Sequence, residues 1–424
     1  MKIDMNINIS HLARVEGHGD IHIQVKDGQL VDAKWSVVET PRFFEVMLKN
    51  KSLDMAPLIV SRICGICSIS HTIASIRAIE NALLITPPEK AQKLRLLALY
   101  GEILQSHSLH FFFLAMPDFY NSHSAISLMK TKGEIYEAAL RIRGCANFIC
   151  DIIGGRSTHP VSFCIGGIAK TPNIEEYTYL AENLSKIVAD LEFAAETSLS
   201  LQMPSFERET EFVSLKGETN YQLIGGSLMS SDGVEKIENE YLAMTNEYTV
   251  DFSTSKHARL SRDSFAVGPL ARFNNNYEFL HPEAKKEAEK FNLKPINYNP
   301  FNNNLVRIVE CFHVLYKSIH LIEQLIEDKS KDIVSEYSVF EAEGIGAIEA
   351  PRGILYHHYQ INKKGKIEKA NCVIPTTQNN GNIHHDLSFL VKQELSANKN
   401  DKNITHLCEM LVRSYDPCIS CSVH

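Results

Sequence analysis

Two cysteine pairs carry the strongest chemical signal in the chain. The first lies in Arg62-Ile-Cys64-Gly-Ile-Cys67-Ser-Ile-Ser-His71, the second in Asp416-Pro-Cys418-Ile-Ser-Cys421-Ser-Val-His424. A Cys-x-x-Cys turn places two sulfurs where both reach one ion. Two such turns together make a four-thiolate site suited to soft or borderline metals. The pairs lie roughly 350 residues apart, so the fold must bring them together. On spacing alone, a closed structural zinc site is the commoner use of such pairs. A thioredoxin-type redox dithiol expects a single pair in a strand–helix context, and here two pairs carry flanking histidines.

The surroundings point beyond a structural ion. Blocks rich in acid, base and glycine recur: Arg14-Val-Glu16-Gly-His18, Ser106-His107-Ser-Leu-His110, Gly154-Gly-Arg156-Ser-Thr-His159-Pro160, Gly268-Pro-Leu-Ala-Arg272, Glu349-Ala-Pro351-Arg352-Gly353 and Pro375-Thr376-Thr-Gln378-Asn379. A structural zinc needs no such company. A catalytic metal needs hydrogen-bond donors on its sulfurs, a nearby base and a cation to polarise its ligands.

At these residues the chain resembles the large, catalytic subunit of nickel–iron hydrogenases. The family pattern Arg-x-Cys-Gly-x-Cys-x-x-x-His is met in full by Arg62 to His71, and Asp-Pro-Cys-x-x-Cys-x-x-His by Asp416 to His424. The intermediate blocks follow in the family's order, so the resemblance spans essentially the whole chain. It implies reversible heterolytic oxidation of molecular hydrogen, with Cys64 and Cys418 as terminal thiolates on nickel. Cys67 and Cys421 would bridge nickel to an iron carrying carbon monoxide and cyanide. By the same resemblance Glu16 relays protons from the Cys421 sulfur, and Arg352 is the guanidinium above the metals, held by Asp118 and Asp416. His71 would donate to Cys67; Pro351, Pro375 and Thr376 would form the iron-ligand pocket, with Thr376 donating to a cyanide. Glu45, His424 and the backbone carbonyl near Cys372 would hold a separate magnesium-type ion. Read without the resemblance, Glu16 is an exposed strand glutamate, Asp118 a loop or cap residue after Met116-Pro117, and His71 a satisfied structural histidine.

Two rival readings remain at this point. Quinone-module subunits of respiratory complexes share the implied fold but lack the four cysteines. A zinc-stabilised helical scaffold would keep the cysteines and need neither Glu16 nor Arg352.

The elements that must position these residues are partly legible. Alternation at Ile21, Ile23 and Val25, a turn at Asp27-Gly28 and renewed alternation at Val31, Ala33, Trp35 and Val37 predict a hairpin within a β-rich region, residues 1–40. Residues 41–424 read as a helical core. Pro87-Pro88 opens a periodic stretch through Leu94, Leu97, Gly101 and Leu104 towards Met116, and a second runs through Ile135, Ala138, Ile142, Ile149 and Ile152. Leu305, Ile308, Phe312, Leu315, Ile319, Ile322 and Ile326 make a third stripe. Such stripes are core rather than cofactor boxes. A late hairpin is expected near 353–374, turning at Lys363-Lys364-Gly365, and the asparagine-rich residues 274–276, 302–304 and 379–382 read as loops. The fold class is therefore mainly α with small β elements (α+β), a long-helix bundle acting as a single catalytic unit over residues 1–424. His107 and His110 read as hydrogen-bonding core residues near the site, and His357 and His358 carry no assignment. Cys145, Cys150, Cys164, Cys311, Cys372 and Cys408 read as small buried hydrophobes.

Composition narrows the partners. Lys+Arg 43 against Asp+Glu 51 leave a net charge of -8, and 44% of residues are apolar, ample for a large core. With no long basic run, the chain is not built to grip nucleic acid or an anionic membrane surface. It offers no run of ~18 apolar residues for membrane insertion, no apolar signal core and no twin-arginine leader, so a cytoplasmic location is expected. There the ten cysteines stand reduced or as metal ligands. No spare cysteine set for a cluster and no glycine-rich nucleotide loop is present, so electrons must leave to a small subunit carrying iron–sulfur clusters. Further flavin and iron–sulfur subunits would follow. The chain looks most like the cytosolic, bidirectional, multi-subunit branch, whose acceptors are NAD(P), deazaflavin, ferredoxin or a disulfide. An end at His424 is expected of a chain from which a carboxy-terminal extension has been removed.

Overall fold

The computed structural model describes residues 4–397 and 399–424. The expected hairpin forms the second and third strands of a three-stranded antiparallel sheet, Met5–Ile9, Gly19–Lys26 and Gln29–Val37. Asp27 and Gly28 both take positive φ, 54° and 74°, as a tight turn between twisted strands requires. Ile21, Ile23, Ala33, Trp35 and Val37 face the core, but Val31 is 57% exposed. Pairing slips between Gln24 and Val25, so Leu30 opposes Val25 and Val31 becomes the extra residue of a bulge.

The three stripes become the helices Glu89–Leu109, Gly133–Gly154 and Asn303–Glu327, and a fourth helix, Ile174–Ser198, packs with them. That fourth helix starts at a capping box in which Asn173 and Glu176 each bond the other's backbone. Towards Met116 the first helix widens into π-helical turns over His110–Ala115, a distortion that recurs at functional sites.

Strands appear where helix was expected. Glu211–Lys216, Ser227–Ser230, Glu235–Ile237 and Phe265–Ala266 form a four-stranded sheet with Glu211–Lys216 and Ser227–Ser230 at its centre. They are short and broken by turns at Gly217, Gly225-Gly226 and Asp232-Gly233, so none leaves a long period to read. The late hairpin, Gly353–Ile361 with Ile367–Val373, gains a third antiparallel strand, Ala342–Ala350. Gly344 and Gly346 hide that strand by lowering its propensity. They serve the helix Ser68–Leu83: a Cβ on Gly346 would stand 2.3 Å from Ala74 O, and one on Gly344 2.3 Å from Ala78 O. Helix and sheet meet backbone to backbone.

The asparagine runs are not loops. Asn274, Asn275 and Asn276 end the helix Pro269–Asn276, Asn303 and Asn304 open the helix that ends at Glu327, and Asn379, Asn380 and Asn382 lie inside the helix Pro375–Ser396. Asn380 accepts from Trp35 Nε1 at 3.1 Å and donates to Ser255 Oγ at 2.8 Å; Asn379 bonds both backbone groups of Val267. Buried amides with partners override a loop preference. Among the described residues, no helix is long and apolar enough to cross a membrane.

Gly346→Ala should push the helix Ser68–Leu83 off its sheet at a cost of about 1–3 kcal/mol. Thermal denaturation reads this as a lowered midpoint; an unchanged midpoint would show that the approach is slack.

Candidate metal centre

The amino-terminal pair sits where the short helix Met55–Val60 and a 3-10 turn, Ser61–Ile63, run into the helix Ser68–Leu83. Cys64 is extended, and the amides of Ile66 and Cys67 both donate to its sulfur at 3.3 Å. Cys67 stands at the helix start, whose positive dipole end favours a thiolate. Glu102, reaching across from the helix Glu89–Leu109, accepts from the otherwise free amides of Ile69 at 2.7 Å and Ser70 at 3.0 Å. Burial pushes its carboxyl up to about 8. Sequence reasoning missed Glu102; a lone glutamate between Gly101 and Ile103 on an apolar helix was the only signal.

The carboxy-terminal pair follows the helix Asp401–Tyr415, which ends on Asp416 in the left-handed region (φ 54°) before the one-turn helix Ile419–Ser422. Glu16 holds this turn. Its carbonyl accepts from Ile419 N at 3.0 Å, and its carboxylate from Ser420 N at 3.0 Å and from the Ser420 hydroxyl. The four sulfurs meet, all buried and within 4.8 Å of one another. Cys64 Sγ faces Cys418 Sγ at 3.5 Å, and Cys67 Sγ faces Cys421 Sγ at 3.8 Å. Four thiols this close cannot all ionise unaided. The hydrogen bond with Cys418 holds Cys64 well below the usual thiol range, while burial and then Cys418 push Cys421 well above it. A soft cation resolves that conflict by taking all four as thiolates.

Beside these sulfurs lies a small cavity walled by His71, Ala350, Arg352, Leu355, Ile374, Pro375 and Thr376. Arg352 donates from Nε to Asp416 O at 2.8 Å and from Nη2 to Asp416 Oδ1 at 3.0 Å. Its Nη1 and Asp416 Oδ2 are buried without partners, which marks a place prepared for a polar occupant. Burial opposes its charge, but Asp416 and the sulfurs of Cys418, Cys64 and Cys67 keep it protonated. Thr376 Oγ1 accepts from Cys418 N at 2.9 Å, leaving its own hydrogen to donate. Pro351 stands between two wall residues, and its carbonyl accepts from Arg272 Nη2 at 3.1 Å.

Other expected residues fall differently. The hydrogen bonds of Asp118 go to Arg413 Nη1 at 2.7 Å and to Arg14, whereas Arg352 is held by Asp416. Asp118 thus secures Arg14, two residues before Glu16, because its helix Met116–Phe119 faces the amino-terminal loop. His71 walls the cavity, and its Nδ1 lies 3.0 Å from His357 Nε2. Glu45, Cys372 and His424 do converge: Cys372 N donates to Glu45 Oε1 at 2.7 Å, and His424 Nε2 lies 2.8 Å from Cys372 O and 3.6 Å from Glu45 Oε1. His107 Nε2 meets Glu310 Oε2 at 2.7 Å and His110 Nε2 meets Arg413 O at 2.7 Å, both buried.

Residues 42–137 and 201–424 match the family model described as nickel-dependent hydrogenase, and residues 6–40 match one described as HoxL-like. The chain belongs to the nickel-dependent hydrogenase family. It is 33% identical to sulfhydrogenase 2 subunit alpha of Pyrococcus furiosus over 421 residues, 99% of each chain. It is 27% identical to the beta subunit of the NAD-reducing hydrogenase HoxS of Cupriavidus necator, over 98% of this chain and 94% of that one. Among solved structures, an NAD+-reducing NiFe hydrogenase in the H2-reduced state matches with a TM-score of 0.88 at 27% identity, covering 99% of both chains. The zinc-scaffold and quinone-module readings fall: this is the catalytic subunit of a hydrogenase, acting on molecular hydrogen and dependent on nickel and iron.

In this hydrogenase the arginine loop is ordered by Arg272. Its Nε and Nη2 grip both oxygens of Glu310 at 2.7 Å, and Nη1 reaches Glu349 Oε2 at 3.0 Å and Ala350 O at 2.9 Å. Glu310 also accepts from the Tyr221 hydroxyl at 2.5 Å. The sequence blocks pointed to Arg272 and Glu349; Glu310 was hidden in an apolar helical stripe. Arg272→Met would strand two buried carboxylates and should cost about 3–5 kcal/mol. Denaturant unfolding measures it, and a loss no larger than that of an exposed ion pair would contradict the arrangement.

Proposed function

We propose that this subunit runs the reversible heterolytic oxidation of molecular hydrogen and hands the electrons to a small subunit carrying iron–sulfur clusters. The observation that carries the reading is one buried point where four sulfurs, the charged Arg352 and the Glu16-anchored turn converge. Cys64, Cys67, Cys418 and Cys421 would together hold nickel and an iron bearing carbon monoxide and cyanide. When bound, that metal pair supplies the open, electron-poor position at which dihydrogen is polarised. Pro351, Pro375 and Thr376 would frame the iron's ligands, with the free hydrogen of the Thr376 hydroxyl available to donate to a cyanide.

Arg352 places a fixed positive donor beside the sulfurs. Asp416 holds it in advance, so no reorganisation is needed as charge develops. Glu16, half-buried and anchored on Ser420, takes up the proton released at the neighbouring Cys421 and relays it away from the site. Asp118 serves this route by securing Arg14. Glu45, the Cys372 carbonyl and His424 would hold a magnesium-type ion that ties the carboxy terminus to the sheet.

The chain acts as one unit over residues 1–424 in the cytoplasm; all ten cysteines are free, a state that suits a reducing compartment. Beyond the small subunit, further flavin and iron–sulfur subunits lead to a soluble acceptor: NAD(P), deazaflavin, ferredoxin or a disulfide. The NAD-reducing relatives support a nicotinamide.

Glu16→Gln should leave nickel and iron content unchanged while hydrogen–deuterium exchange with solvent falls about 10²–10⁴-fold, the scale of a lost proton-transfer group. Near-normal exchange would remove Glu16 from the route.

A further inference from the structure

We infer that a cleft walled by the later turns of the helix Ser68–Leu83 is a second binding site, built for a small organic anion with an apolar body. That helix starts at the metal-site cysteines and ends here, and the cleft shares no wall residue with the cavity beside them.

The other walls are the start of the helix Glu89–Leu109, residues 220–224 and the later half of the helix Asn303–Glu327. The cleft encloses about 580 Å³, inside the roughly 300–1,000 Å³ of sites that take one small molecule. Ile73, Leu96, Leu223, Ile224 and Leu321 give it apolar sides.

Its floor carries donors with nothing to donate to. His313 Nδ1 accepts from the backbone N–H of His281 at 3.0 Å. A backbone amide is always the donor, so the ring hydrogen sits on His313 Nε2, which is buried without a partner. The Tyr100 ring meets His313 edge to face, 6.5 Å between centroids, and both rings wall the cleft. Tyr100 is only 6% exposed, and among the described residues no group bonds its hydroxyl. Buried donors left unpaired are costly, so they mark a place for an acceptor.

Charge says which kind of acceptor. Three pairs around the cleft cancel: Arg95 with Glu80, Lys93 with Glu89 and Arg77 with Glu238. Lys317 stands in no ion pair among the described residues and lies one turn past His313 on the same helix. The cleft therefore has one cation to spare, in a chain whose net charge is -8. An oxyanion gives Lys317 its counter-charge and the neighbouring donors their acceptor, while the rest of the molecule lies on the apolar sides.

The test uses the full chain with its small subunit and two dyes of the same ring system, whose fluorescence rises on an apolar wall. Anilinonaphthalene sulfonate carries the negative charge; phenylnaphthylamine lacks it. The sulfonate should bind saturably and about tenfold more tightly than the neutral dye. Lys317→Met, which keeps the stem and removes the charge, should bring the sulfonate down to the affinity of the neutral dye. Tyr100→Phe should weaken the sulfonate about fivefold. Both variants should oxidise hydrogen at the wild-type rate, which shows them folded. Equal affinity for the two dyes would overturn the proposal, as would sulfonate binding unchanged in either variant, or no binding at all. Neither dye reports on the metals, so the hydrogenase reading stands or falls separately.

Discussion

Four thiols that lie far apart in the sequence must share one buried point, and the rest of the structure follows from that requirement. Thiolates repel one another, and burial raises the cost of each charge. The fold answers with oriented donors placed beforehand. Two backbone amides meet Cys64 Sγ, a helix start sits at Cys67, and the charged Arg352 stands beside the sulfurs. Glu102 pins the first pair and Glu16 the second, each by backbone amides of the turn it holds. Metal then completes an arrangement that the chain cannot leave as four free thiolates.

Buried ion pairs stand around this point: Arg352 with Asp416, Arg272 with Glu310 and Glu349, Arg413 with Asp118. Such pairs add little net stability, because desolvation offsets most of the attraction. Their effect is on position. A guanidinium held at several atoms cannot drift, so the loop at Ala350 and Pro351 presents Arg352 in one orientation. A site whose charges are fixed before reaction needs no reorganisation during it.

The sequence made the centre legible because metal chemistry restricts both residue type and spacing. The two Cys-x-x-Cys turns, Arg352 and Glu16 stand in motifs for that reason, and the structure brings all of them to one place. Partner choice was not legible. Asp118 was expected beside Arg352 and bonds Arg14 and Arg413 instead, a matter of how the helix Met116–Phe119 approaches the amino-terminal loop. The contact of His71 Nδ1 with His357 Nε2 was not legible either, since that pairing needs helix and strand in direct contact.

The same limit applies to the fold. Long periods announced the bundle helices, whereas strands such as Ala342–Ala350 hid behind glycines kept for the neighbouring helix. The asparagine runs read as loops because their buried partners, Trp35 and Val267 among them, lie far away in sequence. Glu102 and Glu310 carry no local pattern at all; each is recognisable only by the backbone or the guanidinium it meets in three dimensions.

Everything above turns on whether the four-sulfur point holds a nickel–iron pair whose iron carries carbon monoxide and cyanide. An infrared spectrum of the purified protein with its small subunit, in the region where metal-bound carbon monoxide and cyanide absorb, tests it most directly. Bands from both ligands are expected, since neither zinc nor an iron–sulfur cluster produces them. A blank spectrum from protein shown to contain nickel and iron would contradict it.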